Sequence, residues 1–195
     1  MKGVLLAGGR GSRLSALSAG GNKHLVPLAG RAMIDYAIDA LLDAGLTDIT
    51  VVTGDEDAQA MRHHLDQLPL PAHVTIHLAR QPSPAGVADA LLRAEPFVQG
   101  HPLCVLLADN LLEHSIRPHA EAFARHPRGA MVLLADTDQP QRFAIASFQD
   151  ADRDRPIAGI TEKPANPTSN AAVIGLYFYD AHAFDLARDL SPSPR

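Results

Sequence analysis

The sequence predicts an α/β fold, a Rossmann-like, mixed but mainly parallel sheet with helices on both faces. Three observations carry that expectation. Through residue 140, apolar runs of strand length alternate with segments whose apolar residues recur at helical spacing. Runs such as GVLLA (3–7) and PLCVLLADN (102–110) are continuous rather than alternating, as strands covered on both faces require. The polar residues gather just after the apolar runs, at Gly8–Arg13, Gln81–Gly86 and Asp109–Asn110. In parallel sheets ligands bind beyond the carboxyl ends of the strands, so these three segments are expected to meet on one edge.

The elements follow in order. GVLLA reads as a buried strand and residues 8–24 as a long polar loop. RAMIDYAIDALLDAG (31–45) puts Ile34, Ile38, Leu41 and Leu42 on one helical face, with Gly45 as the stop. DITVVTG (48–54) is a strand, and DEDAQAMRHHLDQL (55–68) is a helix with acids in its first turn. HVTIHLA (73–79) is a strand, GVADALLRA (86–94) a short helix, and 102–110 a strand. A helix near 115–125 and a strand at 129–135 come next. Beyond residue 140 the pattern changes to short strands in RFAIASF, IAGITEKP and VIGLYFYD, then a helix at 181–190. The organisation expected is one domain over 1–195 in two parts, 1–140 and 141–195, divided where the pattern changes.

The bulk properties exclude several classes. With 195 residues, 46% of them hydrophobic, the chain can bury one sizeable core. A net charge of −5 offers no basic field for nucleic acid. The single cysteine, Cys104, excludes an internal disulfide and a cysteine-built zinc site, and its apolar setting predicts a buried, inert thiol. The N-terminal apolar run is too short for a signal segment or membrane span, so no membrane partner and a cytoplasmic, bacterial location are expected. His63, His64, His114 and His119 read as surface or packing residues rather than as a metal set.

The stretch LLAGGRGSRL (5–14) is the strongest chemical signal. Gly8, Gly9 and Gly11 allow close backbone approach, and successive N–H groups there can nest an anion. Ser12 lies within the same loop; Arg10 and Arg13 add charge suited to phosphate, and Lys23 follows with no acid beside it in sequence. Neither the P-loop spacing nor the full dinucleotide glycine pattern is present.

LLAGGRGSRL followed by NKHLVPLAGRAMIDYAIDAL resembles the signature of the sugar-phosphate nucleotidyltransferase family, nearest to its short-form glucose-1-phosphate thymidylyltransferase branch. The likeness continues in order through QPSPAGVADAL, LLADN, RFAIASF, ITEKP and SNAAVIGLYFYD. It implies the nucleotide-diphospho-sugar transferase fold. The reaction implied joins a nucleoside triphosphate, dTTP favoured and UTP as the other pyrimidine, to a hexose 1-phosphate such as glucose 1-phosphate. The products are a nucleotide-sugar and pyrophosphate.

By the same resemblance, Arg13 and Lys23 are catalytic, gripping the triphosphate and leaving group. Gly8, Gly9, Gly11, Ser12, Gln81 and Gly86 bind the nucleotide, the Gln81 amide both donating to and accepting from a thymine or uracil edge. Asp109 is the Mg²⁺ ligand. Asn110, Ala144, Glu162, Lys163 and Asn170 bind the sugar phosphate. A homo-oligomer is compatible with the resemblance, which leaves the oligomeric state open.

Departures from the family pattern qualify these expectations. Ala85 stands at an acidic position, Ala108 and Ala144 at glycine positions, and Ala171 at an aromatic one. The family continues with a sugar-contacting block and a Trp-x-Asp-x-Gly-Thr block carrying a second magnesium ligand. The chain ends at SPSPR and has no tryptophan, so a truncated member is expected. The alternative function is therefore a catalytically weak or inactive nucleotide-binding remnant or regulatory module. A molybdopterin nucleotidyltransferase-like enzyme shares the glycine loop but places its lysine closer to the arginine.

Overall fold

The structure, a computed structural model, describes residues 1–8, 21–149 and 156–190. The chain divides into two compact units, Met1–Met131 with Phe178–Arg195, and Val132–Tyr177. The boundary drawn at 140 from the sequence therefore falls inside the second unit.

In the first unit, strands β1 (Lys2–Leu6), β4 (Asp48–Gly54), β5 (Thr75–Gln81) and β6 (Leu103–Leu107) lie in the order β5-β4-β1-β6, with all neighbours parallel. Val4 to Ala7, Ile49 to Thr53 and Leu103 to Leu106 are buried residue after residue. A strand with one wet face would alternate, so both faces are covered, as the continuous apolar runs require.

Helix α1 (Met33–Asp43) buries Ile34, Ile38 and Leu41, while Leu42 is half-buried at the margin of the stripe. It ends where Gly45, at φ +80°, returns its N–H to Leu42 and Leu46 bonds Leu41, a left-handed glycine stop. A two-stranded ribbon, β2 (Pro27–Leu28) and β3 (Arg31–Ala32), precedes it. Ala29 and Gly30 turn this ribbon with φ of 48° and 86°, the two positive values that tight hairpins favour.

The acid-rich helix expected over 55–68 is a 3₁₀ turn at Asp55–Asp57 followed by α2 (Ala58–Leu65). The helix expected to end at 94 continues as α3 (Val87–Val98), through Pro96. Its last turn is held because Ala94 and Val98 are fully buried, Phe97 stacks on His77, and Lys2 Nζ bonds the Phe97 carbonyl. Helix α4 (Arg117–Arg125) places Phe123 against Phe178, and α5 (Ala183–Asp189) joins α3 through an Arg188–Glu95 ion pair.

Strand β7 (Ala130–Asp136) leads into the second unit, where β8 (Ala144–Phe148) pairs antiparallel with both β9 (Ile157–Glu162) and β10 (Ala171–Tyr179). β7 also pairs with β10. The antiparallel strands make the fold mixed, with the parallel strands and their helices forming its larger part.

Candidate active site

The carboxyl ends of β1, β5 and β6 open onto a cleft of about 320 Å³ in the first unit. Gly8, Lys23, His24, Gln81, Gly86 and Asp109 are among its lining residues. Three polar segments far apart in sequence are thus brought to one edge. Gly9, Gly11, Ser12 and Arg13 lie outside the described residues.

Lys23 begins a 3₁₀ turn (Lys23–Leu25) capped by the Asn22 side chain, which accepts from the His24 N–H at 2.9 Å. Asn22 is buried and its Nδ2 reaches the Ala7 carbonyl (2.9 Å), Asp57 Oδ2 (3.1 Å) and Thr53 Oγ1 (3.2 Å). One amide thereby ties the lysine turn to the ends of β1 and β4. The amide nitrogen faces three oxygens, so its Oδ1 is the acceptor for His24 Nδ1 at 2.7 Å. His24 then donates from Nδ1. Burial, followed by the charge of Lys23, pushes its imidazole down to about 4.

The Lys23 ammonium is paired with Asp109 Oδ2. Lys23, without an acid beside it in sequence, therefore has one across the cleft. Burial alone would raise the Asp109 carboxyl, but Lys23 holds it below the usual carboxylate range. Asn110 follows, its N–H returned to the Leu107 carbonyl, and its buried Nδ2 has no hydrogen-bond partner among the described residues.

Gln81 is 6% exposed. Its Nε2 donates to the Gly86 carbonyl at 3.1 Å and to Asp89 Oδ2 at 2.9 Å. Both amide hydrogens are therefore committed within the protein. Oε1 is thereby left as the amide's remaining hydrogen-bonding atom, an acceptor. A methyl group on Gly8 would lie 3.0 Å from that oxygen, so the glycine leaves room in front of it. Gly86 itself sits at φ 96° and ψ 178°, a conformation open almost only to glycine.

The remaining candidates lie in the second unit. Ala144 pairs with Glu162 in the β8–β9 register, and Lys163, at φ 43°, donates its N–H to Phe143 at 2.9 Å. Lys163 Nζ is 3.8 Å from Glu162 Oε1, and both side chains are well exposed. Burial, then the charge of the Glu162 carboxylate, raises the Tyr177 phenol. Asn170 precedes β10, and its carbonyl accepts from Thr137 at 3.0 Å. The structure thus gathers Ala144, Glu162 and Lys163 at one strand end.

Asn22, His24 and Asp89 were not singled out by sequence reasoning. The available signal was the placement of Asn and His on either side of the loop lysine. His64, by contrast, bonds Asp35 at 2.6 Å and joins α2 to α1, while Cys104 is buried and its thiol is pushed up by that burial.

Among the described residues no three His, Cys, Asp or Glu side chains gather as a metal cage. The single carboxylate Asp109 at the cleft is compatible with Mg²⁺, which commonly takes one or two carboxylates and completes its shell with phosphate oxygens and water.

A mainly parallel sheet whose strand ends carry a lysine–aspartate pair and an amide-lined cleft defines an α/β protein with a candidate ligand site beyond the carboxyl ends of its strands. The nucleotidyl transferase family profile matches residues 2–195, and the chain belongs to that family. It is 38% identical over 195 residues to a glucose-1-phosphate thymidylyltransferase of Xanthomonas campestris pv. campestris, covering all of this chain and 65% of that protein. It is 37% identical over 196 residues to the enzyme of the same name from Neisseria meningitidis, covering 67% of it. The chain thus spans about two thirds of the length of these curated relatives. A crystal structure from Bacillus anthracis, described as a glucose-1-phosphate thymidylyltransferase in complex with sucrose, superposes with a TM-score of 0.89 at 38% identity. That match covers 99% of this chain and 76% of the other, and it carries the nucleotidyltransferase fold.

Proposed function

We propose that the protein carries out nucleotidyl transfer from a pyrimidine nucleoside triphosphate, dTTP or UTP, to a hexose 1-phosphate such as glucose 1-phosphate. The observation that carries this reading is the cleft in which Lys23 and Asp109 meet beside Gln81 and Gly86. A sugar phosphate oxygen attacks the α-phosphorus, the bond to the bridging oxygen breaks, and pyrophosphate leaves with the electron pair. No protein nucleophile is needed. The work of the site is to hold anions together and neutralise the leaving group.

Lys23 is the described cation at the cleft. Its ammonium, balanced by Asp109 before substrate arrives, has donors for phosphate oxygens. Arg13 is assigned to the same triphosphate, with Gly8, Gly9, Gly11 and Ser12 offering backbone and hydroxyl donors. Mg²⁺ bound at Asp109 would supply positive charge to the phosphate oxygens. Asn110, whose buried Nδ2 needs an acceptor, is assigned to a sugar oxygen. Ala144, Glu162, Lys163 and Asn170 of the second unit are assigned to the sugar phosphate. No helix among the described residues is long and apolar enough to cross a membrane, and a cytoplasmic location belongs to the same reading.

The test is nucleotide-sugar formation followed by mass spectrometry. Lys23→Ala and Asp109→Ala should each lower kcat roughly 10²–10³-fold, the usual loss when one preorganised charge is removed. Variants with parental rates would remove the cleft from the chemistry, and nucleotide binding without turnover in the parent would favour a binding module.

A further inference from the structure

On the reading of this cleft as the nucleobase pocket, we infer that Asp89, held by Arg93, is the positioning residue that fixes the Gln81 amide with only its oxygen toward the base. The cleft therefore selects nucleobases bearing an imino N–H donor. Uracil, thymine and guanine have that donor on their pairing edge, whereas cytosine and adenine present a bare ring nitrogen there.

The argument starts from hydrogen-bond satisfaction. Glutamine Nε2 has two hydrogens and Oε1 has only lone pairs. In the cleft Nε2 faces two oxygens, the Gly86 carbonyl at 3.1 Å and Asp89 Oδ2 at 2.9 Å. Turning the amide over would set Oε1 against both, replacing two hydrogen bonds by two repulsions in a side chain only 6% exposed. The Gly86 carbonyl alone would hold one hydrogen and leave the other free. Asp89 binds the second and removes the amide's ability to donate outward.

Asp89 is itself fixed. Arg93, one helical turn on, reaches Asp89 Oδ1 at 2.5 Å, leaving Oδ2 for Gln81. Arg93 and then Gln81 hold that carboxyl below its usual range despite some burial, so it remains an acceptor across the neutral range. In front of the fixed Oε1, Gly8 presents no side chain. Pro84, Gly86 and Val87 complete that part of the lining.

The experiment is equilibrium binding of dUTP and dCTP without sugar phosphate, because the two differ only at the pairing edge. The parent protein should prefer dUTP roughly ten- to hundredfold, the effect of facing one acceptor with another. Asp89→Ala frees one hydrogen while the Gly86 carbonyl keeps the other, so the amide can donate as well as accept and the preference should fall to about threefold or less, with the ratio of dTTP to dUTP unchanged. Asp89→Glu keeps a carboxylate acceptor and should retain the parental preference. Asp89 lies in the first, solvent-facing turn of α3, and circular dichroism checks that each variant is folded.

An unchanged preference in folded Asp89→Ala overturns the inference. So does a parent without preference, or loss of preference in Asp89→Glu equal to that in Asp89→Ala. Because no turnover is measured, an inactive protein that still discriminates in this way contradicts the proposed reaction while upholding the role of Asp89.

Discussion

At the scale of single residues, the site depends on side chains whose hydrogen-bonding capacity is committed before any substrate arrives. Asn22 fixes His24, and burial together with Lys23 lowers that imidazole from 6.5 to about 4. The sign of the resulting pH dependence is set by the unfolded chain, which takes up a proton between pH 6.5 and 4 while the folded protein does not. Stability at His24 is therefore complete above about pH 6.5 and declines as the pH falls towards 4, by on the order of 3 kcal/mol. His24→Gln should flatten the dependence of the urea midpoint on pH across that window relative to the parent. Equal slopes would show that His24 is accessible to protons in the fold. That the segments holding Gly8, Gln81–Gly86 and Asp109 meet at one edge was legible in the sequence because each segment follows an apolar run, whereas Lys23 stands in a long polar loop and was singled out by the absence of a neighbouring acid and by the family resemblance. The direction in which Gln81 presents its amide was not legible, because it is decided by Asp89, eight residues on and one of several acids on exposed helix turns.

At the scale of elements, Gly86 is the N-cap of helix α3, and its backbone carries both the turn and an acceptor for Gln81. A Cβ at Gly86 would meet nothing within 4 Å, so Gly86→Ala introduces conformational strain without a clash. It should destabilise the protein by roughly 1–3 kcal/mol in urea unfolding and weaken nucleotide binding by displacing the Gln81 amide. Parental stability would mean that the turn adopts another conformation. The parallel strands were readable because their burial on both faces leaves continuous apolar runs, as in LCVLL at β6. The β2–β3 ribbon was not, since Ala-Gly is a weaker turn signal than Asn-Gly and each strand has only two residues. The final turn of α3 was missed for a different reason. Pro96 signals a stop locally, but burial of Ala94 and Val98 outweighs it.

At the scale of the whole molecule, the central claim is that the strand ends of the first unit assemble a triphosphate site serving transfer to a sugar phosphate. Family membership rests on residues 2–195, and the fold is shared with a nucleotidyltransferase structure across 99% of this chain. The measurement that bears most directly on the claim is pyrophosphate release by the protein with Mg²⁺, glucose 1-phosphate and each nucleoside triphosphate in turn. The account predicts release with dTTP or UTP that requires both substrates and is absent with CTP. Folded protein that releases none with any triphosphate, or releases it equally without the sugar phosphate, would contradict the claim.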